Sequence, residues 1–344
     1  MTKWYEVPEH VDSSVIYSKV RLVRNWAEYP FPGKMTKEQS LELTARILGG
    51  VQDLAEKDHN KYLYSYLHQM SDLEKAVLIE RKVLNLDILK KKDAGGLILS
   101  EDEHVGITIN GDDHIRIQVL EKGLKLAECY KEASLIDDQI GENIQYAFDE
   151  KYGYLTAFPT NMGTGLRASV IIHLPMLTKK KNFNSLVADM GRFGITVRGV
   201  YGEGSENYGS LYRVSNQKTL GQTEKDIIDL VSKAATELAL QEHRIRREAL
   251  KHHAVLCADE AYKSYGVLKY ARRLSKNDAM QYLSHLLSGI STGILELKEP
   301  CSVHELILGV QPANLLSHAD RPLSKDEVDV VRADYLREHI PEIR

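Results

Sequence analysis

Between Tyr154 and Glu206 two β-rich runs each carry an arginine beside a glycine-rich turn, and this pairing restricts what the chain can build. RASVIIHL begins at Arg167 and follows GTGL; ITV precedes Arg198, and GVYGEG follows it. A guanidinium is costly to bury unpaired, so arginine on a strand edge beside glycine is a poor choice for a plain core. It suits a site where paired N–H donors hold phosphate oxygens and the backbone comes close. Glu203 and Glu206 follow at once, which puts carboxylates among the cations. For either arginine alone, a surface hairpin with scattered charges explains the pattern equally well. Both together favour a site.

The rest of the chain supplies a frame for it. SVIYSKVRLVR (14–24) alternates as a strand, with Tyr17, Lys19, Arg21 and Val23 on one face; a solvated edge strand and a binding strand remain open there. The pattern predicts a helix over 36–57 capped by Thr36 with Gln39, and a second over 71–80 begun by Ser71 and Asp72. LILS, VGITIN and HIRIQV form an antiparallel meander between 97 and 119, whose last turn holds Asp112 and Asp113 ahead of Arg116. Asp is a good turn former and needs no function there. A broad apolar stripe predicts a helix over 122–147, LYRVSNQ a strand, and the run from Thr223 to about His252 a long helix. Beyond 253 the strand signal fades into successive helices, the last capped by Ser324 with Glu327. That change marks an expected boundary between a domain over 1–252 and an all-helical one over 253–344.

Composition excludes several classes. Hydrophobic residues make up 43% and charged ones 27%, which is ordinary for a globular protein, and the net charge of -4 argues against nucleic-acid binding by bulk charge. No apolar run is long enough to span a bilayer, and the first residues lack a signal-peptide core, so a cytoplasmic protein is expected. Three scattered cysteines indicate neither a disulfide framework nor a zinc cluster. P-loop, dinucleotide, HExxH and nucleophile-elbow patterns are missing, and His173, His243, His252 and His253 have no ligand-spaced companions. If phosphate is handled, arginines handle it.

Taken in order, SKVRLVRN, HVGITINGDDHIRIQ, PTNMGTGLRASV, VRGVYGEGSE and SNQKTLG resemble the motifs of the phosphagen (guanidino) kinases, over roughly Ser14 to Ile228. QPANL and RPLSKDEVDVVRA in the tail are similar to the C-terminal helical domain of the bacterial protein-arginine kinases (McsB type) within that family. The resemblance implies an α+β catalytic domain, an antiparallel sheet flanked by helices, followed by a helical dimerisation and regulatory domain. It implies transfer of the ATP γ-phosphoryl group, with Mg2+, to arginine side chains of proteins in quality control or stress response. The implied nucleotide site comprises Ser18, Lys19, Arg21, Lys82, Arg116, Arg167, Ala168, Ser169, Val170, Ile171, Arg198, Gly199, Val200, Tyr201, Gly202 and Glu203. Glu203 is the implied base, and Asp112 its partner in gripping the substrate guanidinium. Implied partners are protein substrates with exposed arginines, a second copy through the C-terminal helices, a zinc-binding activator and a Clp-type protease.

Some positions depart from the family pattern. Lys19 stands for the first arginine of S-R-x-R, Lys82 for a histidine, Gly111-Asp112 for two glutamates, and Phe158 for a cysteine. In the tail, Val328 replaces the first arginine of R-D-x-x-R-A, which leaves Asp329 and Arg332 of an implied phosphoarginine sensor. These departures keep two alternatives open: an adaptor that binds nucleotide or phosphoarginine without turnover, and a kinase for small guanidino compounds.

Overall fold

The computed structural model describes residues 1–8, 13–51, 61–91, 94–201 and 207–344. Its centre is one antiparallel sheet of eight strands in the order β2-β3-β4-β5-β1-β8-β10-β9. The strands are β1 (Val15–Arg24), β2 (Tyr62–Tyr66), β3 (Gly96–Ser100), β4 (Val105–Ile109), β5 (Ile115–Lys122), β8 (Leu166–His173), β9 (Ile195–Gly199) and β10 (Leu211–Asn216). The short pair β6 (Phe148–Asp149) and β7 (Gly153–Tyr154) stands apart. Strand β1 lies between β5 and β8 rather than at an edge, so Lys19 and Arg21 are held inside the sheet and not on a solvated rim.

Alternation sorts the two faces. Val20, Leu22, Ala168, Val170, Ile172 and Val214 join one large core with apolar residues of helices Lys37–Gly50, Leu126–Gly141 and the first half of Glu224–Tyr270. On the opposite face, Tyr17, Ile171 and Leu211 join a second core with Trp4, Tyr5 and the C-terminal helices Lys276–Ser291, Val303–Gly309 and Lys325–His339. The C-terminal helices therefore cover only one end of that face. The rest carries the cations.

Several elements differ from expectation for local reasons. The helix expected over 122–147 spans Leu126–Gly141, because Lys122 still pairs with Tyr17 in β5 and Gly123 turns the chain at φ +75°. The first helix spans Lys37–Gly50, and the end expected near 57 falls outside the described residues. The long helix runs from Glu224 to Tyr270, with one non-helical residue, His253 (φ -138°, ψ 37°). The change of character at 253 thus coincides with a kink inside one helix.

The GTGL turn is a point of close backbone approach, but toward protein. Gly165 has φ +66°, and a Cβ there would lie 2.5 Å from Nη1 of Arg24 and 2.7 Å from the Val23 carbonyl oxygen. Arg24 is buried, bonded to Asp137 at 2.7 Å, and its guanidinium lies 3.5 Å from the Tyr154 ring centroid. Gly165→Ala should therefore cost about 2–4 kcal/mol in urea unfolding, from strain plus displacement of that buried ion pair. A loss below about 1 kcal/mol would show that the turn relaxes freely.

Candidate active site

The uncovered sheet face is the floor of a cavity of about 820 Å³, within the ~300–1,000 Å³ range of small-molecule sites. Because side chains alternate along strands, Tyr17, Lys19 and Arg21 of β1 project into it together with Arg167, Ser169 and Ile171 of β8. Thr196 and Arg198 of β9, Arg213 and Ser215 of β10, and Arg116 of β5 complete the floor. Ile79 in the last turn of helix Asp72–Glu80 and Lys82, Leu84, Asn85, Leu86 and Asp87 after it form a wall, with Asp112 and Arg116 also in the lining.

Five arginines on one wall are an unstable arrangement without a counter-charge. Arg21 is directly opposite Arg167, and Arg198 opposite Arg213, where like charges repel. Among the described residues no ion pair joins these arginines to a carboxylate, and Nε of both Arg21 and Arg116 is buried without a hydrogen-bond partner. Burial, then Arg116 and Arg167, push the Arg21 guanidinium down to about 9, partly offset by Asp113 and Asp112. It still carries its proton at neutral pH, but the cluster is short of negative charge. Arg116 and Arg167 are also lowered by burial; Arg198 and Arg213 deepen the shift at Arg167. Orphaned N–H donors together with excess positive charge fit a polyanion such as a triphosphate.

Neighbouring amides aim these groups. Arg21 Nη2 donates to Asn161 Oδ1 at 3.2 Å, and Arg167 Nη1 donates to the Asn216 carbonyl. Asn216 accepts from the Ala168 amide at 2.9 Å and donates to the Leu166 and Lys218 carbonyls. Asn25 ties the end of β1 to the aspartate turn, accepting from His114 N at 2.9 Å and donating to Asp113 at 2.7 Å. Asp113 also accepts from Ala157 N at 2.7 Å, so it is a buried brace. Asp112 accepts from Asn85 Nδ2 at 3.0 Å and lines the cavity with the cations. The two aspartates of one turn have separate jobs.

Lys19 Nζ donates to the Lys82 carbonyl at 3.0 Å, and Gln118 Nε2 donates to the same oxygen at 2.9 Å. Lys82 adopts φ +68°, and its ammonium lies 4.8 Å from the Tyr201 ring centroid. Burial, then Arg213, pushes Lys82 down to about 8 from an ordinary 10.5. Between these values the unfolded chain holds a proton that the folded one lacks, so this group makes stability rise with pH from about 8 to 10.5. Unfolding titrations of Lys82→Met should lack that increment relative to the parent chain; identical slopes would refute it.

The structure brings Lys19, Arg21, Lys82, Asp112, Arg116, Arg167, Ser169, Ile171, Arg198 and Val200 to the cavity. Ser18 does not reach it: its hydroxyl donates to the Gly123 carbonyl and accepts from Lys125 N on the other face. Side chains of Ala168 and Val170 are in the helix-side core, and their strand is paired on both edges. Tyr201 is buried next to Lys82, and Gly199 is close against Asn207. Gly202 and Glu203 lie outside the described residues. Phe158 is 51% exposed and Thr160, two residues on, lines the cavity. In the tail, Arg332 is buried, donates to the carbonyls of Val310 (2.9 Å) and Leu274 (2.8 Å), and pairs with Asp329. A phosphoarginine would have to displace those carbonyls to use it. Arg213 escaped sequence reading because it sits inside its strand, four residues past the glycine of the preceding turn; the register with Arg198 marks it.

A cationic floor on an antiparallel sheet, with an aspartate in its lining, suits a ligand rich in phosphate oxygens. The model of the ATP:guanido phosphotransferase C-terminal catalytic domain matches residues 44–245, and that of the protein-arginine kinase McsB C-terminal domain matches 255–344. A protein-arginine kinase of Desulforamulus reducens is 38% identical over 98% of this chain and 95% of its own length. One of Brevibacillus brevis is 38% identical over 96% and 93%. The substrate-free duplicated taurocyamine kinase of Schistosoma mansoni superposes with TM-score 0.60 and 27% identity, over 72% of this chain and 37% of that one. The chain belongs to the protein-arginine kinase family of guanido phosphotransferases.

Proposed function

We propose that the protein transfers the γ-phosphoryl group of ATP to a guanidinium nitrogen of arginine side chains in proteins. The observation that carries this reading is the convergence of Arg21, Arg116, Arg167 and Arg198 on one cavity with Asp112 in its lining. In the reaction an N–P bond forms, the bond from the γ-phosphorus to the β,γ-bridging oxygen breaks, ADP leaves with that electron pair, and the acceptor nitrogen loses a proton. The arginine donors stabilise charge spread over the equatorial oxygens. A guanidinium is a poor nucleophile, with a pKa above ~12 and a delocalised charge, so Asp112 orients it and Glu203 takes the proton. Among the described residues no cluster of three or more His, Cys, Asp and Glu could hold a metal by itself. Mg2+ in this cavity would be held largely through phosphate oxygens and water, and would supply charge neutralisation.

The same reading extends to cellular context. A cytoplasmic role in protein quality control, with unfolded proteins as substrates and an activator and protease as partners, accords with the family. Pairing of two copies through the C-terminal half is supported by Val255 and Leu256, 81% and 67% exposed just beyond the kink. The test is mass spectrometry for phosphoarginine, with radiolabel transfer, after incubation with MgATP and a partly unfolded protein. Acid-labile label on arginine is expected. Nucleotide binding with no phosphoarginine at any magnesium level would instead select the non-catalytic adaptor.

A further inference from the structure

Lys19 is placed awkwardly for a phosphate ligand. Its ammonium is tied to the Lys82 carbonyl, and a lysine offers a point charge where an arginine offers a planar fork. Burial, followed by the charges of Arg116, Arg213, Arg21 and Lys82, holds it well below the ordinary lysine range. A guanidinium is nevertheless available close by. Arg213 of β10 is exposed to the cavity, with Ile171 of β8 on one side and Arg198 of β9 on the other. The next row of the sheet runs Lys19, Ser169, Ser215, Thr196, so the side chains between Arg213 and Lys19 along the floor are Ile171 and the small Ser169 and Ser215. The Arg213 charge bears on Lys19, Lys82, Arg116 and Arg167 alike, which places it centrally in the cluster.

We propose that Arg213 is a fifth arginine ligand of the nucleotide phosphates and supplies the forked contact that Lys19 cannot make. This rests on the reading of the cavity as the ATP site. An arginine opposite Arg198, with no ion-pair partner among the described residues, is a net liability to the sheet unless an anion bridges the two. A triphosphate has enough oxygens to engage both. The serines at 169 and 215 leave the intervening floor open, so the Arg213 side chain can lie across it toward the Lys19 end.

The experiment is calorimetric titration of ATP into the full-length chain without acceptor protein, with thermal melting in parallel. Arg213→Gln should weaken ATP binding about ten- to a hundredfold, as expected for loss of charge-assisted hydrogen bonds. Arg213→Lys should recover only part of the loss. Lys19→Arg added to Arg213→Gln should recover most of it, because a fork is restored in the same cluster. Without ATP, Arg213→Gln should melt at or above the parent temperature. Arg167→Gln is the control for the site itself. Unchanged ATP affinity in Arg213→Gln, with binding lost in Arg167→Gln, would overturn the assignment of Arg213 alone. A melting temperature lowered by several degrees would give Arg213 a structural role and overturn it as well. Failure of the parent chain to bind ATP would instead remove the reading on which it rests.

Discussion

Arg116→Gln is expected to lower phosphoryl transfer to protein arginine by about a thousandfold, without loss of folding stability. The two halves of this expectation have one cause. Arg116 is held in the floor with Nε buried and unpartnered, and its hydrogen bond from Nη2 to Gln118 Oε1 is long, at 3.4 Å. Burial holds its guanidinium below the usual arginine range, and the nearby Arg213 adds to that while Asp112 and Asp113 oppose it. A neutral side chain of similar length removes a buried charge that the folded protein tolerates at a cost. The unliganded variant should therefore unfold at the same or a higher urea concentration. Addition of ATP should stabilise the parent chain clearly and the variant much less, by mass action. A variant retaining activity within tenfold of the parent, or one that unfolds several degrees earlier, would contradict a phosphate-binding role.

The second large effect is expected from the carboxylates. Glu203→Gln should reduce kcat by about 10²- to 10⁴-fold with ATP affinity nearly unchanged, since a general base contributes in that range and does not bind phosphate. Asp112→Asn should act chiefly on the protein substrate, raising its KM, because Asp112 lines the cavity, held by Asn85, where an incoming guanidinium could reach it. Asp113→Asn separates the two roles of that turn. It should cost stability, since Asp113 accepts from both Asn25 and Ala157. Steady-state kinetics on all three, with ATP titrations alongside, would settle the assignment. Full turnover by Glu203→Gln would exclude it as the base.

Much of the fold could be read because its signals are local. The meander from Leu97 to Val119 and the capping boxes at Thr36, Ser71 and Ser324 depend on neighbours only a few residues away. What escaped depends on partners distant in sequence. Lys122 continues a strand instead of opening a helix because it is paired with Tyr17. The central place of β1 is set by β5 and β8, far along the chain from it. The glycines of GTGL pointed to a close approach, but what they approach is protein: Thr219 and Leu220 at Gly163, Val23 and Arg24 at Gly165. In the same way the convergence of Arg21, Arg116, Arg167 and Arg198 on one floor could be expected from motifs, whereas Arg213 needed the sheet register.

Tyr17 and Ile171 belong at once to the cationic cavity and to the core beneath the C-terminal helices. Severing the chain near the bend at His253 would therefore do more than release a neighbouring unit. It would strip the roof from one end of the strands, expose Ile16, Leu120 and Leu211 to water, and loosen the bed on which the phosphate ligands stand. The tail is a fitted part of the sheet half, so displacing it would be felt at the floor of the cationic cavity.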